Sequence, residues 1–327
     1  MIWCCPSCHG QLHKHNNQLE CEKCSNNYAI VGEIPDLRLP GLSWIDYETD
    51  RKKAQQLLDQ SKELSLEEMI YSVYSSYSEF SQKQANLRTR QVIQATDKRK
   101  KDISGWLKPC LKETGLFMDL GCGGGNLISA ASNYPGIGID VSMVWLVVAH
   151  RMIREHGGTP LLAAALAEHL PLPDHCLTGI ISLDVIEHVN DPKQYLQEIN
   201  RVAAPGCNIA LTTPNRYSLT AEPHVSVWGV GWLPRNIQKQ YVKWRSGKSY
   251  EFTKLLSSFE IKTMLKENTD FDFRVEPGIV SEEEMNYFQP LKAKLAHWYN
   301  YLTTFPPLRL FFLLTGPFFH IIGRKKT

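Results

Sequence analysis

The sequence has almost no excess charge of either sign. Its 36 Lys and Arg face 34 Asp and Glu, so no global field draws the chain to nucleic acid or to an anionic membrane. MIWCCPSCHG shows no basic stretch followed by an apolar core of signal-peptide length, so secretion is not expected and a cytoplasmic address is the expectation. No long uninterrupted apolar run is present. The best candidate, Phe305 to Gly323, is broken by Pro306, Pro307, Arg309, Gly316 and Pro317 and reads poorly as a spanning helix. Internal repeats and low-complexity tracts are missing. With 43% apolar and 21% charged residues over 327 positions, the chain has the make-up of a folded protein with one large domain and smaller additions.

Cysteine, by contrast, is present nine times, and in a reducing compartment close pairs more often hold metal than form disulfides. Cys5-Pro6-Ser7-Cys8 and Cys21-Glu22-Lys23-Cys24 are two C-x-x-C knuckles separated by enough chain for a hairpin. Four thiolates brought together this way close a tetrahedral zinc site with no open position, a structural site rather than a catalytic one. Cys4 is a rival for Cys5, disfavoured because the turn after Cys5 starts with proline; His9, His13 and His15 are further alternatives nearby. CPSCHGQL and LECEKCSNNYAIVGEIPDL resemble the small zinc-ribbon proteins that partner and activate RNA and protein methyltransferases. That resemblance spans residues 2 to 40.

Composition shifts suggest three parts: a ribbon over 1–40, a polar helical connector or lid over 41–110, and an α/β domain over 111–327. In the connector, Ser65 and Glu68 form a capping box ahead of an apolar-periodic run, and Tyr71, Tyr74, Tyr77 and Phe80 recur on one helix face, either as core or as a substrate-facing wall. Beyond Leu116, short apolar runs alternate with helical patterns, the mark of βα units around a parallel sheet. The expected strands are 116–121, 136–140, 160–164, 178–183 and 207–212, with helices near 125–133, 143–156 and 192–203. An insertion at about 215–256 interrupts the alternation, which resumes with a helix near 257–267 and a strand near 271–276.

FMDLGCGGG puts Asp119 at a strand end and a glycine loop ahead of a helix, so backbone can approach a ligand closely. The next strand, GIGIDVS, ends in Asp140, a carboxylate able to accept both hydroxyls of a ribose. NAD is the rival ligand for such a loop, but DVIEHVNDP disfavours it, and no hydride-transfer constellation is visible. DLGCGGG, GIDVS, AEHLPLPD and LDVIEHVNDP resemble the Rossmann-like methyltransferases that use S-adenosylmethionine (SAM), especially the quinone-biosynthesis and small-molecule branch, over residues 111 to 214, with FFHIIGRK as a family-like final strand. The resemblance implies an α/β Rossmann-like methyltransferase sheet with helices on both faces. It also implies that Asp119 and Gly121 face the methionine part of SAM, that Gly123 lies beneath it, that Asp140 takes the ribose and that Ala167 adjoins the adenine. Leu166 stands where the family has an aspartate for the adenine amino group, leaving that role to backbone or to Glu168.

A sulfonium methyl is already activated, so transfer needs chiefly an aligned nucleophile in a site emptied of water, with a base if the acceptor is a hydroxyl. His188, at the end of the fourth strand, and His224, in the insertion, are the candidate bases, each with a plain structural role as its rival. Trp228, Trp232, Tyr241, Trp244 and Tyr250 could line an acceptor pocket or merely anchor a long loop. The expected acceptor is small or amphipathic, with oxygen favoured as the methylated atom. Two competing readings are an RNA methyltransferase using the basic run Lys98 to Lys101, and a catalytically silent SAM-binding partner. Leu310 to Leu314, near the basic Arg324-Lys325-Lys326, read either as core beside the last strand or as a peripheral membrane contact. Oligomeric state is not legible.

Overall fold

The computed structural model describes residues 2–41, 45–78 and 80–327. The chain opens with β1 (Leu12–His15), β2 (Gln18–Cys21), β3 (Asn27–Val31) and β4 (Ile34–Pro35), an antiparallel sheet in the order β1-β2-β3-β4. Three helices follow: α1 (Tyr47–Gln60), α2 (Leu66–Ser75) and α3 (Gln82–Ser104). Each starts where a side chain satisfies a first-turn N–H, Asp46 on α1 and complete capping boxes at Ser65/Glu68 and Ser81/Gln84 on α2 and α3. α2 buries Leu66, Met69, Ile70 and Val73, so its core face is aliphatic. The aromatic series does not share one helix face: α2 ends at Ser75, and Tyr77 and Phe80 lie beyond it. Tyr74 meets Phe80 and Trp145 edge-on at ring separations of 5.7 and 5.2 Å.

The α/β part then runs β5 (Phe117–Leu120), α4 (Asn126–Ala130), β6 (Gly136–Asp140), α5 (Met143–Glu155), β7 (Leu162–Ala164), β8 (Leu177–Leu183), α6 (Pro192–Val202) and β9 (Ala203–Pro214). After it come α7 (Arg235–Ser246), α8 (Ser258–Asn268), β10 (Phe271–Pro277), α9 (Glu282–Met285), α10 (Pro290–Leu302), α11 (Pro306–Thr315) and β11 (Phe318–Lys325). Seven strands form a mixed sheet in the order β10-β11-β9-β8-β5-β6-β7, flanked by helices. β5 pairs in parallel with β6 and β8, β6 pairs in parallel with β7, and β10 pairs with β11 antiparallel. This mixed α/β sheet flanked by helices agrees with the Rossmann-like architecture expected from the sequence. All four β5 residues are buried, as the apolar run FMDL requires of a central strand covered on both faces.

Two compact units emerge, residues 1–182 with 197–208, and residues 183–196 with 209–326. In the first, the β1–β4 sheet leads directly into the edge of β7. Asp36 bridges Ala164 in parallel, and Leu37 N–H donates to the Ala164 carbonyl at 2.7 Å. In the second, Asn215 bridges Leu256, tying together the ends of the segment between them. That segment has its own small core of Val225, Val227, Val230, Val242 and Tyr250. β9 starts four residues before the strand expected from the sequence, and α6 correspondingly ends at Val202. Leu310 to Leu314 are not core beside the last strand: they belong to α11, which buries no residue.

Candidate functional site

The first group of site residues lies in the first unit. Gly121 and Gly123 sit at φ of 78° and 47°, left-handed conformations that side-chain-bearing residues rarely adopt. At Gly123 a Cβ would meet no atom within 4 Å, so the loop presents bare backbone to open space. Asp140 holds this loop: Oδ2 accepts from Gly123 N–H at 2.8 Å, and Oδ1 accepts from Ser142 N–H at 2.9 Å. Burial raises the Asp140 pKa, and these two N–H groups oppose that shift by favouring the carboxylate. Asp119, at the buried end of β5, is pushed up to about 7 by burial; Arg99 opposes the shift and Asp140 adds to it. Leu166 is buried, Ala167 is half-exposed and Glu168 is buried, while Ala165 N–H donates to the Asp140 carbonyl at 3.0 Å. The expected cofactor residues are thus gathered around β5, β6 and the turn after β7.

Sequence reasoning missed what holds this loop from behind. Arg38, with no exposed side-chain surface, donates from Nε and Nη2 to the two carboxylate oxygens of Asp36, both at 2.7 Å. Its Nη1 reaches Asp50 Oδ2 at 2.6 Å and the Val141 carbonyl at 2.8 Å. Asp50 in turn accepts from Met143 N–H at 2.8 Å, at the start of α5. Helix α3 also reaches the loop, because Asn126 Nδ2 donates to the Val92 carbonyl at 2.7 Å and to Thr96 Oγ1 at 3.0 Å. An arginine inside the apolar IPDLRLPG was the one available signal, and nothing in the sequence says what it touches.

The four knuckle cysteines converge. Cys5 Sγ lies 3.6 Å from Cys24 Sγ, Cys8 Sγ lies 3.5 Å from Cys21 Sγ, and all four sulfurs fall within 4.8 Å of one another. Four thiolates about 2.3 Å from one zinc ion stand roughly 3.8 Å apart, so the donor set and spacing fit that ion. Cys4 is outside the cluster; it is buried, and its backbone N–H donates to Pro171 at 3.0 Å. His13 pairs instead with Glu22 at 3.1 Å.

The second unit brings His188 and His224 together although they stand 36 positions apart in sequence, their rings edge-to-face at 4.7 Å. His224 Nδ1 donates to buried Glu222 Oε1 at 2.6 Å, and Glu222 Oε2 accepts from Val225 N–H at 2.8 Å. His188 Nδ1 donates to the Phe252 carbonyl at 3.2 Å. In both rings these contacts turn Nε2 into the acceptor when the ring is neutral. Burial, helped by His224, lowers the His188 pKa and favours that neutral form. Beneath them Glu187 is buried; its Oε2 accepts from Thr213 Oγ1 at 3.0 Å, and Oε1 has no hydrogen-bond partner among the described residues. Burial pushes Glu187 up to about 8, and neighbouring Asp184 and Glu222 add to the shift. Ligand-type atoms of Glu187, His188 and His224 lie within 4.8 Å of one another, a spacing that a divalent cation can use.

The insertion's aromatic rings divide. Tyr250 is buried in the segment's core with Tyr241 packed against it, while Trp228, Trp232 and Trp244 are exposed. Trp228 and Trp232 donate from Nε1 to the carbonyls of Leu219 and Ser218 at 3.1 and 3.2 Å, which anchors the loop. In the basic run, Arg99 pairs with Asp102 at 3.0 Å and Lys100 with Asp97 at 2.9 Å, both within α3.

Residues 118–211 match the model of the methyltransferase-domain family. Among named relatives, it is 27% identical over 156 residues to the ubiquinone biosynthesis O-methyltransferase of Maricaulis maris, covering 46% of this chain and 57% of that protein. To the protein of the same name from Rickettsia akari it is 25% identical over 201 residues, covering 56% and 74%. The chain therefore spans between about half and three quarters of these two relatives. Among solved structures, phosphoethanolamine N-methyltransferase 2 of Haemonchus contortus with S-adenosyl-L-methionine is a distant likeness, at 18% identity and a TM-score of 0.46 over 70% of this chain and 53% of that one.

Proposed function

We propose that the protein is a SAM-dependent methyltransferase acting on a small or amphipathic acceptor, with oxygen as the methylated atom. The observation that carries the cofactor assignment is the open backbone at Gly123, held by the Asp140 carboxylate. A ligand of SAM's shape fits that arrangement: bare glycine backbone for the methionine part, and one carboxylate for two vicinal ribose hydroxyls. Gly121–Gly125 follows the carboxyl end of β5, and Asp184–His188 follows the carboxyl end of β8. Carboxyl ends of parallel strands are where open α/β sheets bind ligands. Asp119, Gly121, Gly123, Asp140, Ala167 and Glu168 are the proposed SAM residues, and Cys5, Cys8, Cys21 and Cys24 the proposed zinc ligands. SAM supplies an electrophilic methyl group.

His224, oriented by Glu222, then takes the acceptor's hydroxyl proton at Nε2 while the oxygen attacks, and Glu222 stabilises the imidazolium. His188 lies beside it and orients the acceptor. The names of the relatives favour oxygen. A second reading rests on the unpartnered Glu187 Oε1: Glu187, His188 and His224 would hold a divalent cation that lowers the acceptor's pKa directly.

Calorimetric titration with SAM and with NAD tests the first level. Binding of SAM that Asp140→Ala abolishes supports the assignment, and preference for NAD overturns it. With catechol-type acceptors, the base reading expects turnover that His224→Gln lowers by about a hundredfold and that EDTA leaves intact. The cation reading expects loss in EDTA, with recovery on adding Mg2+ or Mn2+, hard ions poorly matched to the thiolate cluster.

A further inference from the structure

One buried path joins the cysteine cluster to the glycine loop, and every residue on it belongs to the first unit. It starts at the sulfurs. Tyr28 Oη lies 3.0 Å from Cys5 Sγ and is the donor when Cys5 is a thiolate. The next residue of β3, Ala29, gives its carbonyl to Asp36 N–H at 2.8 Å, and β3 and β4 pair through Ile30 with Pro35 and Val31 with Ile34. Asp36 therefore serves both sides. Its backbone is held by the ribbon, while its carboxylate, 2% exposed, takes the Arg38 guanidinium through two bonds. Arg38 reaches on to Asp50 and to the carbonyl of Val141, which directly follows Asp140.

A path carries a signal only if one end has two states. The ribbon supplies them: a module of about 40 residues buries too little surface to fold firmly alone, so metal–sulfur bonds decide whether its strands form. Without β3, nothing in the ribbon fixes the Asp36 backbone. Arg38 has no exposed side-chain surface and cannot turn to water for a replacement, so a shift of Asp36 is passed to the Val141 carbonyl. Asp140, one residue away, is the carboxylate that holds Gly123 N–H. Two contacts limit the effect. Leu37 N–H on Ala164 ties the segment to β7, and Arg51 ties Asp36 to α1 at 3.1 Å, so a graded response is expected and not all-or-none loss. We propose that metal occupancy of the Cys5, Cys8, Cys21 and Cys24 cluster sets the SAM affinity of the Gly121–Gly125 loop, with Asp36 and Arg38 as the coupling residues. The inference rests on the zinc and SAM readings above and adds a regulatory link between them.

Calorimetry with S-adenosylhomocysteine on the full chain, zinc-loaded and after chelation, tests it. Chelation is expected to weaken binding about tenfold. By linkage, saturating S-adenosylhomocysteine should tighten zinc by the same factor, read as the chelator concentration that removes half the metal at equilibrium. This second measurement starts from the loaded protein and stands even if the stripped chain precipitates. In Arg38→Met both factors should fall below about threefold. Glu33→Gln, which removes surface contacts of the same module with His150 and Arg154, should leave them near the wild-type value. Identical zinc retention with and without S-adenosylhomocysteine overturns the proposal. So does coupling that Arg38→Met keeps in full, which would assign it to the shared stability of the fold and not to this path. A zinc-loaded chain that binds no S-adenosylhomocysteine refutes the SAM reading itself, and a chain that takes up no zinc refutes the thiolate assignment; the coupling falls with either.

Discussion

Replacing Arg38 by methionine isolates the device behind the proposed SAM loop. The substitution nearly preserves volume and removes the guanidinium's hydrogen bonds to Asp36, Asp50 and the Val141 carbonyl. Two buried carboxylates then lose their main cation, and breaking a buried pair by removing one partner typically costs about 3–5 kcal/mol. Asp36 keeps Arg51 at 3.1 Å and Asp50 keeps Met143 N–H at 2.8 Å, which places the expected loss at the lower end, about 3 kcal/mol. Arg38→Lys should recover little, because a single ammonium cannot bind Asp36 through two parallel bonds and still reach Asp50. Urea unfolding in zinc-containing buffer measures the stability term. Calorimetry with S-adenosylhomocysteine measures the loop, since Val141 directly follows Asp140, the proposed ribose ligand, and an affinity drop of about tenfold is expected if that carboxylate is loosened. A stability loss under about 1 kcal/mol with unchanged ligand affinity would show that the network holds nothing together.

Metal analysis of freshly purified protein should find about one zinc per chain, and a strong chelator should lower the melting temperature, whereas a chain with no zinc would refute the thiolate assignment. Glu187 gives a pH test: its folded pKa of about 8 lies above the ordinary 4.5, so the unfolded state ionises first as pH rises. Stability should therefore decline between about pH 4.5 and 8, and Glu187→Gln should flatten that decline; an unchanged slope in the variant rules Glu187 out as its source.

How much was legible depended on whether the signal was local. β6 matched the sequence expectation residue for residue, because a short β-branched run opened by glycine is encoded where it stands, and β11 matched the final strand that the family resemblance implied. β9 was underestimated because Ala203-Ala204-Pro205-Gly206 reads as a helix ending in a turn, and only pairing within the sheet makes it strand. α7 buries Val242 alone and so left almost no periodicity to detect. The opposite error arose at α11, where a dense apolar run implied burial that tertiary structure withholds. In the candidate site, Asp140 and the glycines were readable from one turn. The meeting of His188 with His224, and of Arg38 with Val141 across 103 positions, is a property of the folded chain alone. Glu222 was passed over although it stands two residues from His224, since a carboxylate in a loop carries no local mark of burial.

The bridge from Asp36 to Ala164 has one more consequence. β7 is the last strand of its sheet, and an outermost strand presents unpaired backbone groups on which another chain can assemble. Here the segment leaving the cysteine module lies along that strand and takes the Ala164 carbonyl for its own N–H. On the proposed zinc reading, losing the ion or oxidising the four cysteines would loosen the segment that covers this strand and expose its unpaired backbone groups.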